Sequence, residues 1–202
     1  MAKSLFSNQK TLRRILQLDQ PVEILSSDEA ETARQQNLKW NLFFNSGDVI
    51  FFMSGISIIS ATTILPLFVS KLSSSPIPIA IVAMLAQGGF YIPQLLTANT
   101  IEQLDYKKPI IVNLGFFTER VPALLFVTAP LLALWSPTAA LIAFLVFYAW
   151  FSLGGGLIAP AWQDFIARCF PVETRGRFFG TNMFIGTLIG AGAATVTAIV
   201  LD

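Results

Sequence analysis

Five apolar stretches, each about 20 residues or more, leave this chain few ways to fold. They run roughly over 44–68, 77–96, 109–135, 138–161 and 178–201. At 1.5 Å of rise per residue, about 20 helical residues cross about 30 Å of hydrocarbon. Their interiors hold glycines and β-branched residues. In lipid these do not prevent a helix, because an isolated span must satisfy its own backbone polar groups. A β-barrel would need shorter segments of alternating polarity, and none is visible. The links between the stretches are short, so neighbouring spans should run antiparallel. The expectation is an all-α fold: a polytopic membrane helix bundle of about five transmembrane helices over 41–202, preceded by a polar segment over 1–40.

Composition agrees. Charged residues make up 12% of the chain and apolar residues 54%, against about 25% and 45–50% in soluble domains. Mean hydropathy is +0.65. The net charge of +1 gives no electrostatic reason to expect nucleic acid as a partner. The chain has no histidine and a single cysteine, Cys169. That removes the commonest metal ligand and general base, and any internal disulfide. No pair of acids has ligand spacing within one apolar stretch. No catalytic residue, metal or cofactor is therefore expected, and the chain is not read as an enzyme.

Charge distribution gives an orientation. With the N-terminus in the cytoplasm, every Lys and Arg except Lys71 and Arg120 falls on the inner side, as the positive-inside rule requires. This predicts a multi-pass membrane protein with its N-terminus inside and Asp202 on the outer side. In the tail, LFSNQKTLRRILQL reads either as an amphipathic helix on the lipid surface or as a partly helical tail. Ser26-Ser27-Asp28-Glu29 then resembles the capped start of a second helix.

Polar residues inside the apolar stretches are the candidate sites. Asp48 lies near the inner end of the first, with Gly55 and Thr62 within about 40° of its direction on a helix. Two readings fit: an acid facing a solute or coupling ion, or an inner-rim carboxylate that pairs locally. Glu119 and Arg120 lie about ten residues into the third stretch, near the bilayer centre. Helical neighbours point about 100° apart, so each meets a partner on another helix or the two meet through bent side chains, either as functional charges or as an ion pair that locks the bundle. The second stretch holds Gln87; the fourth holds Tyr148, Trp150 and the run Gly154-Gly155-Gly156. Three glycines allow close helix approach, a bend, or exposed carbonyls, and close packing is the commonest cause. Gly186, Gly190 and Ala194 form a further ridge for tight helix contact, and Ser54, Ser57 and Ala61 a second stripe suited to helix packing.

Several of these pieces occur together in one family. N-x-x-D (Asn45, Asp48), LPLFV (Leu65 to Val69), PQLLTA (Pro93 to Ala98), YKKP (Tyr106 to Pro109) and ERVP (Glu119 to Pro122) lie in order. GGGLIAPAWQDFIARCFPVETRGRFFG follows from Gly154 to Gly180, with P-x-x-x-R-G-R from Pro171 to Arg177. From about Asn41 to Asp202 the chain resembles the N-terminal half of a major facilitator superfamily transporter, nearest to poorly characterised prokaryotic members. The family's inner loop between its second and third helices usually reads close to G-x-L-x-D-x-x-G-R-R. Here Asn99, Gln103 and Tyr106 stand at the first Gly, the Asp and the second Gly. Ile101 holds the Leu position, Lys107 and Lys108 form the basic end, and Glu102 or Asp105 reaches the acid's place only by a small shift. The fourth stretch has no Arg around Trp150 and Gly154, unlike many proton antiporters of the family.

The resemblance implies secondary active transport of a small-molecule solute by alternating access, with protons or another coupling ion, in a twelve-helix protein. This chain would be an incomplete N-terminal part of it, its partners being the lipid bilayer, the solute and the missing C-terminal half. It implies roles as well. Asp48, Glu119 and Arg120 would meet the solute or coupling ion, with Gln87, Tyr148 and Trp150 on the cavity wall. Asp164 with Arg168, Arg175 and Arg177 would form a cytoplasmic charge latch, or else simply set topology. The alternative is a membrane scaffold or subunit without its own transport path.

Overall fold

A computed structural model of the chain describes residues 14, 17, 25–104, 106–126 and 128–201, the last five by backbone alone. Among these residues the structure is helical, with no strand. Four helices are long and apolar enough to cross a membrane: Ile77–Glu102, Ile110–Ala133, Pro137–Cys169 and Val172–Val196. The chain is an all-α membrane protein. The expected amphipathic helix near the N-terminus lies outside the described residues, apart from Arg14 and Gln17, as does Asp202.

Helix α1 spans Ser27–Gln36. The side-chain oxygen of Ser26 accepts from the Glu29 N–H, and Glu29 Oε2 accepts from the Ser26 N–H at 2.9 Å and its hydroxyl at 2.7 Å. This capping box satisfies donors that a helix start leaves open. The Ser26 hydrogen bonds hold the Glu29 carboxyl below its ordinary value. A carboxyl with a depressed folded value stabilises above its unfolded value and loses that contribution as the pH falls through the folded one. Amide protection of α1 should therefore be flat from pH 7 to 5 and fall below about pH 4. Ser26→Ala should lower protection at neutral pH and flatten this dependence in hydrogen exchange.

The first expected span is not one helix. Helix α2 covers Leu38–Ile58 and α3 covers Ile64–Leu72. Between them Ser60 takes over the local bonding: its hydroxyl meets Thr62 Oγ1 and the Thr62 N–H, and its carbonyl accepts from Thr63 and Leu65. Side chains of this kind offer the backbone an alternative to the helix. Pro66 sits in the first turn of α3 and cannot donate to the Thr62 carbonyl, so the helix does not extend backward through this point. The first half of α2 also carries Lys39, Asn41, Asn45, Ser46 and Asp48. It is accordingly not among the four helices that are both long and apolar enough.

Helix α4 spans Ile77–Glu102, with Pro76 at its N-cap and Pro78 in its first turn, where a missing N–H has no cost. The third span holds π-helical turns at Ile110–Leu114 and Phe116–Arg120, then α5, Val121–Leu125, and α6, Thr128–Ala133. Helix α7 runs Pro137–Cys169, and the Ala139 N–H bonds to Ser136 Oγ at 3.3 Å at its start. It extends eight residues beyond the apolar stretch, so the charged turn narrows to Phe170-Pro171. Pro171 stops it by restricting Phe170 and lacking a donor. Helix α8 covers Val172–Leu201.

The chain divides into two compact units, one on Pro66–Phe165 and one on Ile24–Leu65 with Ile166–Asp202. In the second, α8 packs on α2. A Cβ on Gly186 would meet Met53 and the Ile50 carbonyl, and one on Gly190 would meet Ser57 and the Ser54 carbonyl. Ser54 Oγ donates to the Gly186 carbonyl at 3.1 Å, and buried Asn182 donates to Ser46 Oγ at 3.0 Å. Small residues that admit a close backbone, with hydrogen bonds across the seam, are how membrane helices associate.

Candidate functional site

The site is built in the first unit, where the third span crosses the glycine run of α7. The Gly115 N–H bonds to the Ile110 carbonyl and the Val121 N–H to the Phe116 carbonyl. Both links are five residues long, which is the wide π register. Pro122 helps to impose it. A proline there cannot donate to the Thr118 carbonyl, which an α-helix would require. Thr118 turns its side chain back to the Leu114 carbonyl at 3.0 Å. Its own carbonyl faces Gly154, where a Cβ would lie 2.3 Å away.

The register has a consequence for the charges. In an α-helix, residues five apart point roughly 140° apart. Here a Cβ on Gly115 would sit 3.0 Å from Arg120 Nη1, so the absent side chain at Gly115 leaves room for the guanidinium. Arg120 Nη1 meets Glu119 Oε2 at 3.3 Å. The two sequence neighbours thus form an ion pair near the midpoint of a 24-residue span. Glu119 is mostly covered, 16% exposed, whereas Arg120 is 48% exposed. The carboxylate is seated on Gly155: a Cβ there would be 3.4 Å from Glu119 Oε1 and 3.8 Å from the Phe90 ring. Gly156 receives the Phe90 carbonyl of α4, and Ser152 Oγ donates to the Leu85 carbonyl. Three spans therefore meet at a charged pair, each brought close by missing side chains.

A second ion pair lies at the end of the same unit. Lys107 Nζ bonds Asp164 Oδ2 at 2.6 Å, with Lys107 6% and Asp164 35% exposed. Lys107 lies between Leu104 and Ile110 in sequence, and Asp164 one helical turn beyond Ala161. These three apolar residues and Ile101 form one buried cluster. The segment after α4 is thereby tied to the last turns of α7.

Comparison of the chain with known protein families, with curated proteins and with solved structures returned no match.

The remaining candidates fall in several places. Tyr148 is buried in an aromatic cluster, stacked on Phe144 at 5.9 Å and close to Phe126, which also contacts Phe151. Gln87 on α4 and Trp150 on α7 are exposed. Asp48 is exposed on α2, in the second unit. Of the four residues of the expected latch, Asp164 pairs with Lys107 in the first unit. Arg168, Arg175 and Arg177 belong to the second. There Arg175 donates to the carbonyls of Ala167 and Phe170, and Arg168 and Arg177 are exposed. Phe90, Gly115, Thr118 and Lys107 were not singled out from sequence. The available signal was Pro122 four residues after Thr118, which marks a carbonyl without its helical donor.

Proposed function

We propose that this chain forms the N-terminal helices of a secondary transporter of the major facilitator type, carrying a small solute by alternating access. The observation that carries the reading is the Glu119–Arg120 pair near mid-span. A charge at that depth costs about 3 kcal/mol on insertion scales, and such residues as a rule face a bundle interior or a watery path. A chain selected only to span lipid has no need of it. On this reading Glu119 exchanges a proton or meets the solute, Arg120 is its counter-charge, and Asp48 serves the coupling ion or solute from α2. The Lys107–Asp164 pair is the inner contact that parts when that side opens. The order of motifs from Asn45 to Gly180 supports the same assignment. The membrane is a prokaryotic plasma membrane with the N-terminus inside.

Phe90 gives the test, because its ring and Glu119 both lie against Gly155. In a Cys169→Ser background, Phe90→Cys should react with an impermeant thiol reagent from either face of sealed vesicles in turn, as alternating access requires. Glu119→Gln should shift the balance between the two faces by several-fold. Reaction from neither face would make the pair a structural lock and favour a scaffold without a transport path.

A further inference from the structure

A helix leaves its last four carbonyls without helical donors, and buried or half-buried carbonyls must find partners. The end of α7 can be accounted for one carbonyl at a time. The Ile166 carbonyl accepts from the Phe170 N–H at 3.2 Å. Ala167 accepts from an Arg175 guanidinium nitrogen. Arg168, open to solvent, accepts from Arg34 Nε at 3.0 Å. Cys169 accepts from Asn41 Nδ2 at 3.5 Å. Phe170, just beyond, accepts from Arg175 Nε at 3.0 Å. Three helices thus supply the side chains that close this terminus: Arg34 from α1, Asn41 from α2 and Arg175 from α8. All lie in the second unit.

The three contributions are not equivalent. Arg175 stands five residues from Phe170, so its bonds are local to the turn. Arg34 reaches across 134 residues of sequence. It is aimed by Glu31 one turn earlier, whose carboxylate pairs with its Nη1, leaving Nε for the carbonyl. A guanidinium at a helix C-terminus meets the negative end of the dipole, and a charged donor strengthens the bond. Helix α1 itself contains no buried residue among those described. Its two alanines, Ala30 and Ala33, are only half-buried. Ten residues are too few to hold a helix in water without help, and the capping box fixes only its start.

We propose that α1 is a detachable strap over the α7–α8 turn, latched by Arg34 on the Arg168 carbonyl and backed by Asn41 on the Cys169 carbonyl. Closed, it completes the end of α7 and restrains the turn. Released, it returns the Arg168 carbonyl to water, leaves the Asn41 bond from α2 as the remaining restraint, and frees the turn to move. This stands on the second unit alone and does not depend on the transport reading.

Cys169, the chain's one cysteine and half-buried beneath the latch, reports the state directly. In the purified full-length protein, Arg34→Ala and Asn41→Ala should each raise the rate of maleimide labelling at Cys169, on the order of fivefold for Arg34. Arg34→Lys should fall between the two, and Arg177→Gln, changed at an exposed position of α8, should label like wild type. A nearby cation merely favouring the thiolate would give the opposite sign, since its removal slows labelling. An unchanged or slower rate in Arg34→Ala overturns the strap. Hydrogen exchange on the wild-type protein guards against a folding defect in the variants. The amides of α1 should be protected about tenfold or more over an unstructured chain. Protection near that of an unstructured chain overturns the proposal as well.

Discussion

Gly156→Val should unfold the first unit at a far lower temperature than wild type, with a loss of about 3 kcal/mol or more. A Cβ at this position would lie 2.1 Å from the Phe90 carbonyl and 3.0 Å from its Cα. These are backbone atoms, so no side-chain rotation relieves the clash. Helices α4 and α7 must part. Overpacking a well-packed core typically costs about 1–3 kcal/mol. Here the separation also withdraws the support under Glu119, because Gly155 is the next residue. The conformation of Gly156 is not the reason, since no glycine has a positive φ among the described residues; the requirement is space. Two controls make the argument specific. Gly155→Ala should be much milder, since its nearest neighbour is the carboxylate tip of Glu119 at 3.4 Å. Gly192→Ala, with nothing within 4 Å, should be neutral or slightly stabilising, as alanine favours the helix. Thermal unfolding of the detergent-solubilised protein, followed by circular dichroism, separates the three. Equal losses for Gly155→Ala and Gly156→Val would mean that the run is not a packing device.

The legible and the hidden parts of this protein divide by the kind of physics involved. Hydropathy acts over 20 residues at once, so the stretches of α4, the third span, α7 and α8 stand out in any reading. The break between α2 and α3 does not, because Ile58-Ile59 and Ile64-Leu65 keep the stretch apolar while Ser60, Thr62 and Thr63 redirect the backbone. Local hydrogen bonding decided there, and Pro66 was its visible sign. The glycine run of α7 pointed to close packing, but not to the partners. That Gly154 faces Thr118 and Gly156 faces Phe90 follows from the helix crossing, which no single segment encodes. Glu119 and Arg120 were conspicuous as charges in an apolar run. Their pairing runs through long side chains, since adjacent residues on an α-helix diverge by about 100°, and the room for the guanidinium over Gly115 comes from the π register. Tyr148 shows the converse. The family resemblance implies a place on the cavity wall, and the fold adds a ring stacked on Phe144 and close to Phe126. Arg175 reads in sequence as one member of a charge set, and the fold adds a role as cap of the helix before it, set by the two-residue turn at Phe170-Pro171.

Lys107 is the other residue whose meaning comes only from the fold, and Asp164→Asn should reveal it with a loss of about 3 kcal/mol. In sequence Lys107 is one more basic residue of a loop. In the structure its side chain is 6% exposed, with Asp164 Oδ2 at 2.6 Å. Removing one partner of a buried pair strands the other charge, which costs about 3–5 kcal/mol. The low end applies because Asp164 is 35% exposed and water reaches its side of the pair. The converse substitution should be cheaper. Lys107→Met keeps the length of the stem and leaves the charge on the partner that can be hydrated, so its loss should stay below about 1.5 kcal/mol. The double variant Lys107→Met/Asp164→Asn has no charge to strand. It should unfold close to Lys107→Met alone, giving a coupling of about 3 kcal/mol in a double-mutant cycle. Equal losses in the two single variants, adding in the double, would mean that the ammonium is solvated and that the pair does not hold the start of the third span to the end of α7.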